Sequence, residues 1–161
     1  MRRIALLTLT FLLLALVLTG CRRGEVSIDR DAGTLSVTLT ESDINTALKT
    51  ILAARPNPLF RDPSADLQPG VIVLNGQHER RDGQGTVSGT VTLRPSVVDG
   101  AVHVSVEGVS VEDVDASDTR VQTFAEDLAA LLNNQSSLRE RRTTITALTI
   151  TDSALEITFS R

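Results

Sequence analysis

Residues 86–111 read TVSGTVTLRPSVVDGAVHVSVEGVSV, and their alternation decides the fold. Val87, Val91 and Leu93 point one way while Thr86, Ser88, Thr90 and Thr92 point the other, the period-two pattern of a half-buried strand. Val98-Asp99-Gly100 then carries the Asp-Gly signal of a tight hairpin. Val102, Val104 and Val106 resume the alternation, after which the apolar phase jumps to Val109 and Val111. One extra residue at Glu107-Gly108 restores the apolar face, which predicts a β-bulge and a curved sheet.

The same pattern extends outward from this hairpin. Val71–Glu79 reads as the preceding strand, reached through a turn over residues 81–85. Residues 55–70 hold Pro56, Pro58, Pro63 and Pro69, a density that predicts a long loop of the kind used as a lid or binding segment. Its apolar members, Leu59 and Phe60, are expected to plug one end of the core. Further upstream, Leu35, Val37 and Leu39 alternate with Ser36, Thr38 and Thr40 in one more strand. Thr40 and Asp43 then stand at capping-box spacing, ahead of a helical stripe of Ile44, Ala47, Leu48, Ile51 and Leu52. Downstream, an acidic run over residues 112–118 precedes a second stripe of Val121, Phe124, Ala125, Leu128, Leu131 and Leu132, with Asp118 as its cap. Residues 143–150 and 154–159 close the chain as a hairpin around Thr151-Asp152-Ser153. The expectation is an α+β domain of order β-α-β-β-β-α-β-β. Both amphipathic helices lie on the aliphatic face of one curved antiparallel sheet of about five to six strands, and its Thr/Ser face meets water. A brief extra strand is expected at Glu25–Asp29.

The N-terminus carries a different message. Met1-Arg2-Arg3 precedes an unbroken apolar or Thr run from Ile4 to Leu18, then Thr19-Gly20-Cys21. A basic start, an apolar run of about 15 residues and small residues at the end describe a secretory signal, since a spanning helix needs about 20. Leu18-Thr19-Gly20-Cys21 resembles a bacterial lipobox. That resemblance implies diacylglycerol on the Cys21 sulfur, cleavage before Cys21 and a further palmitate-type acyl group on the new N-terminus. The chain has one cysteine, and it stands where the lipobox needs it. Residues 1–20 are read as signal peptide, 21–33 as lipidated cysteine and tether, and 34–161 as a single domain, anchored on the extracytoplasmic side of a membrane. Arg22 and Arg23 then fall at headgroup level, where each adds about 1 kcal/mol on an anionic surface.

Composition removes several functions. Losing Arg2 and Arg3 with residues 1–20 takes the formal charge from −4 to −6, which argues against nucleic acid as a partner. Phe60, Phe124 and Phe159 are the only aromatics of the mature part, too few for stacking or sugar platforms. No Gly-x-Ser-x-Gly elbow occurs, and no catalytic residue is assigned. His103 lies opposite Val102 and Val104 as a solvated strand residue, and His78 is read in the same way. There is no His-x-x-x-His, cysteine pair or calcium loop, so neither metal nor cofactor is expected. Glu112, Asp113, Asp115 and Asp118 suit a loop and the start of a helix better than a calcium ion. Arg139, Arg141 and Arg142, like Arg80 and Arg81, are either solvated turn charges or headgroup contacts.

Two stretches carry a family resemblance. Residues 35–48 run from strand to helix through Leu39-Thr40-Glu41-Ser42-Asp43-Ile44-Asn45, and residues 145–157 pair as Thr149-Ile150-Thr151-Asp152-Ser153-Ala154-Leu155. Together they resemble the YpmS-like and LmeA-like groups of bacterial membrane-anchored proteins. The resemblance implies a curved sheet wrapped around helices, akin to tubular lipid-binding domains, and phospholipid or lipoglycan binding at the cell envelope. It supplies no catalytic motif. Read from the residues, an aliphatic concave face offers Leu35, Val37, Ile44, Leu48, Ile51, Val91, Val104, Val106, Phe124, Leu128 and Leu131 as acyl-chain lining, or as a dry core. Two functions follow as expectations. One is a non-enzymatic lipoprotein that binds or shuttles a phospholipid or other acyl lipid; the other is an assembly lipoprotein docked on an envelope protein.

Overall fold

The computed structural model describes residues 25–29, 33–53, 55, 57–80, 82–134 and 144–160. Residues 1–20, read above as a signal peptide, and Cys21, Arg22, Arg23, Arg81, Arg139, Arg141 and Arg142 lie outside them. Eight strands and two helices follow in order: β1 (Glu25–Asp29), β2 (Thr34–Thr40), α1 (Glu41–Ala53), β3 (Arg61–Gln68), β4 (Val71–Glu79), β5 (Thr86–Val98), β6 (Ala101–Ser110), α2 (Thr119–Asn134), β7 (Thr144–Ile150) and β8 (Ala154–Ser160). The class is α+β with antiparallel pairing, but the expected single sheet is two four-stranded sheets, ordered β1-β2-β8-β7 and β3-β4-β5-β6. Alternation shows which face of a strand is buried and is silent about which strands share a ladder.

The local expectations hold in detail around the opening hairpin. Asp99 and Gly100 take φ of 51° and 77°, and Val98 pairs with Ala101 across them. Leu93 faces Val106 and Thr92 faces Gly108, so Glu107 is the extra residue of a bulge. Its carboxylate faces outward onto the Arg94 guanidinium. Thr40 and Asp43 close the capping box reciprocally: the Thr40 N–H donates to Asp43 Oδ2 at 2.9 Å, and the Asp43 N–H donates to Thr40 Oγ1 at 3.3 Å. Asp118 caps α2, its carboxylate accepting from the Arg120 N–H at 2.9 Å.

The proline-rich segment needs correction. Residues 61–68 are not loop but a strand, with Pro63, Ala65 and Leu67 buried in alternation. β3 is an edge strand, and its register slips by one between Arg61 and Ser64, where Asp62 adopts φ of 47°. An edge bulge is where a strand accepts a residue that lacks an N–H. Pro69 and Gly70 (φ 80°) then form the two-residue turn into β4.

Each edge of the second sheet is closed by a helix asparagine. Asn45 on α1 donates Nδ2–H to the Ala65 carbonyl at 3.1 Å and accepts the Ala65 N–H on Oδ1 at 2.7 Å. Asn133 on α2 does the same to Val102 of β6, at 2.8 and 2.9 Å. A side-chain amide thus stands in for a neighbouring strand and blocks edge-to-edge pairing. We expect Asn45→Ala to lower the free energy of unfolding by about 2 kcal/mol, because two half-buried backbone groups lose their partners. In a urea titration the midpoint should fall with an unchanged slope.

The two sheets meet along β7. The Gly70 N–H donates to the Ile150 carbonyl at 3.1 Å, and the Ile145 N–H donates to the Gly100 carbonyl at 3.2 Å, so two hairpin turns grip the ends of that strand. α1 packs on β3 and β2 while α2 packs on β6 and β5. Both helices and both sheets contribute to one core, centred on Ile44, Leu48, Leu74, Leu93, Leu128, Leu132, Leu155 and Ile157.

Candidate functional site

The described chain begins four residues beyond Cys21, in β1. Glu25-Val26-Ser27-Ile28-Asp29 alternates and pairs with β2, Val26 opposite Val37 and Ile28 opposite Leu35. Directly opposed residues share a face. Two apolar rows therefore cross the first sheet: Val26, Val37, Ile157 and Leu148, and Ile28, Leu35, Phe159 and Ile145. Their interior members are closed, with Ile157 0% and Phe159 2% exposed, but at β1 the rows emerge into solvent, with Val26 53% and Ile28 57% exposed.

The eleven residues singled out as lipid lining do assemble. Val37, Ile44, Leu48, Val91, Phe124 and Leu128 are buried, and Leu35, Val104, Val106 and Leu131 are half-buried against them. Ile51 is half-buried on α1. The ten other than Ile51 pack on one another as core. Phe124 also borders a recess, a cleft of about 190 Å³ between the last turn of α1, the segment holding Arg55 and Asn57 to Leu59, and the first turns of α2. Leu52, Pro58, Leu59 and Phe124 form its apolar wall; the Arg55 guanidinium, held on Asp127 at 2.6 and 2.7 Å, ties the loop across it. Pockets that enclose whole small molecules run from about 300 Å³ upward, so this cleft suits the end of a single chain.

A second recess, about 380 Å³, lies on the other side of Pro58 and Leu59. Arg61, Arg80 and Arg120 line it. Each already meets a carboxylate: Arg61 meets Glu79, Arg80 meets Glu112 at 3.0 Å and Arg120 meets Asp118 at 2.9 Å. The charges cancel locally, so the recess is not a built anion site. His78 belongs here, and its placement corrects the expectation. It is 2% exposed, whereas His103 is solvated as expected. The inward positions of β4 are Ile72, Leu74, Gly76 and His78. Gly76 has no side chain to mark the apolar phase, which is why His78 reads as outward in the sequence. Nδ1 stands 2.9 Å from the Leu59 carbonyl, which can only accept, so Nδ1 carries the proton and pins the loop. Nε2 is buried without a partner.

The loop is also held by Phe60. Gly76 and Gly89 face each other in the β4–β5 ladder, and the Phe60 ring lies across the pair. Leu59 and Phe60 are 3% and 2% exposed, so the loop tip seals the core as expected.

The acidic run is spent on local structure. Asp115 accepts from the Ser117 hydroxyl at 2.6 Å and the Ser117 N–H at 2.7 Å, and these bonds hold its carboxyl below the usual range. The Arg94 hydrogen bond does the same for Glu107. A carboxyl depressed in the folded state adds stability that is present above its unfolded pKa and lost as pH falls through the folded one. Thermal melts should therefore show stability falling as pH drops from the ordinary carboxylate range to below it. Glu107→Gln should flatten that fall, more visibly at low salt because both groups are exposed.

Among the described residues, no group of three or more His, Cys, Asp or Glu side chains is placed to hold a metal ion. No helix among them is long and apolar enough to cross a membrane. No protein-family model, curated protein or solved structure matches the chain.

Proposed function

We propose that the protein is a non-enzymatic lipoprotein of the cell envelope, held on the extracytoplasmic side of a membrane by acyl chains on Cys21, and that its domain engages an acyl lipid. The observation that carries the reading is Leu18-Thr19-Gly20-Cys21 after a short basic-apolar leader, with the chain's one cysteine at its end. Supporting it, the first strand after the tether turns two aliphatic side chains outward. The apolar cleft beside Leu52 and Phe124 offers a seat for one chain end. The resemblance of residues 35–48 and 145–157 to the YpmS-like and LmeA-like groups points the same way. The test is mass spectrometry of protein purified from bacterial membranes. Intact mass reports acyl groups on Cys21, and native spectra followed by organic extraction report any further phospholipid retained at a defined ratio. An unmodified cysteine would end the anchoring reading. A lipidated protein that retains nothing would end the carrier reading alone.

A second reading has its own observation. The solvent face of the second sheet holds a polar recess of about 360 Å³, lined by Asp62, Ser64, Asn75, Gln77, Ser88, Thr90 and Ser110. A flat polar face of this kind suits an assembly lipoprotein that docks on an envelope protein. Crosslinking in membranes from Ser88 and Thr90 positions would then capture one stable partner.

A further inference from the structure

We infer that the Val26 and Ile28 face of β1 lies directly on the bilayer that holds Cys21, so that the domain is oriented by its first strand as well as tethered. The inference rests on the anchoring reading above. Its own observation is the run of apolar rows across the first sheet: buried at Val37, Ile157, Phe159 and Ile145 and half-buried at Leu35 and Leu148, they continue into solvent at Val26 (53%) and Ile28 (57%). These two and Val98 are the large hydrophobic side chains most open to water among the described residues. Isolated apolar side chains on a surface need no explanation, but two on one face of one strand, continuous with the core face, make a patch.

Chain length decides what covers it. From Cys21 to Glu25 are four residue steps, at most about 14 Å when fully extended. The headgroup layer is itself several ångströms deep, so an acyl-anchored Cys21 keeps β1 within reach of the acyl boundary at all times. That tethering makes the leaflet the partner present at the highest effective concentration. The polarity of β1 agrees: Glu25, Ser27 and Asp29 alternate to the other face, alongside Thr38, Ser36 and Thr34.

The protein has no Trp or Tyr, so one introduced Trp reports alone. Full-length chain carrying Ile28→Trp is expressed in a lipoprotein-processing bacterium and purified. It is then reconstituted into vesicles of equal parts phosphatidylethanolamine and phosphatidylglycerol, with plain or brominated acyl chains. Val26→Trp serves as a second reporter should Ile28→Trp misfold. Val98→Trp is the reference. It lies beside the Gly100 turn that grips β7, and β7 is the strand at the opposite edge of the first sheet from β1. The expected result is a blue-shifted emission at position 28 quenched about twofold by the brominated lipid, and aqueous emission without quenching at position 98. Acylated protein with an unquenched, aqueous Ile28→Trp would overturn the contact and leave the anchoring intact. A blue shift without bromine quenching would overturn it in favour of a second protein copy on β1. Protein without acyl mass would overturn both.

Discussion

Gly76→Val should abolish the cooperative unfolding transition. A Cβ built on Gly76 falls 2.5 Å from Phe60 Cβ and 2.6 Å from Phe60 Cγ, well inside van der Waals contact. The ring cannot retreat. Across the ladder, a Cβ on Gly89 would already meet Phe60 Cε1 at 3.1 Å and Val111 Cγ2 at 2.7 Å. On its other side, Leu59 is fixed to the His78 imidazole. Overpacking a closed core costs about 1–3 kcal/mol per modest insertion and more where nothing can shift, against a total stability of about 5–15 kcal/mol. Gly76→Ala should sit at the upper end of that range and Gly76→Val beyond it. Phe60→Ala alone should cost about 3–5 kcal/mol by leaving a cavity. The double variant Gly76→Ala with Phe60→Ala should be more stable than the two costs added together predict, because the inserted methyl then enters vacated space. Gly108→Ala is the comparison: its nearest neighbours are Thr92 atoms at 3.9 Å, and it should change stability little. Far-ultraviolet circular dichroism in urea measures all five. Equal losses at Gly76 and Gly108 would refute the close seating of Phe60 on Gly76.

The same glycine pair explains what could be read from the sequence and what could not. Elements built from local patterns are legible: both helical stripes and even the Glu107 bulge follow from apolar phase, the capping box from the Thr40 and Asp43 spacing, and the hairpin from Asp99-Gly100. Where the inward position is a glycine, the phase disappears. Gly76 and Gly89 look like interruptions, so His78 reads as solvated and the seat of Phe60 goes unseen. Pro63 misleads for a related reason. Proline density is a sound argument against a central strand, yet Ala65 and Leu67 continue its alternation, and an edge strand with a bulge tolerates it. Asn45 was visible as part of Leu39-Thr40-Glu41-Ser42-Asp43-Ile44-Asn45, but its clamp on Ala65 depends on a tertiary neighbour twenty residues away. The division into two sheets is in no local pattern at all. For the candidate site, Leu59 sealing the core and a brief strand at Glu25–Asp29 follow from the sequence; the exposure of that strand does not. The outward face of β1 required its register with β2, since alternation within five residues does not say which face the core takes.

Cys21→Ser should remove the protein from membranes almost completely while leaving its fold unchanged. Each buried methylene contributes about 0.8 kcal/mol, so a single chain of myristoyl length binds marginally and two or three bind stably. Val26 and Ile28 together offer at most about 3–6 kcal/mol if fully buried, and less for side chains already half-shielded by the sheet. On the proposed anchoring, the acyl groups would decide residence and β1 would decide orientation. Serine keeps the size of the thiol and loses the sulfur that the lipobox resemblance implicates in acylation. To separate anchoring from export, the variant is also made with residues 1–20 replaced by an ordinary cleavable signal. In fractionated cells the parent chain should pellet with membranes, resist high salt and be released by detergent. The variant should appear in the soluble fraction with no incorporated palmitate, and with a urea midpoint equal to that of the parent chain's domain. A small salt-resistant residue of membrane binding should remain in that variant, because the β1 face persists, and Val26→Asp with Ile28→Asp should abolish it. Membrane retention equal to the parent would contradict anchoring at Cys21. Complete release, indifferent to the charges placed on β1, would confine the contribution of that strand to the tethered state.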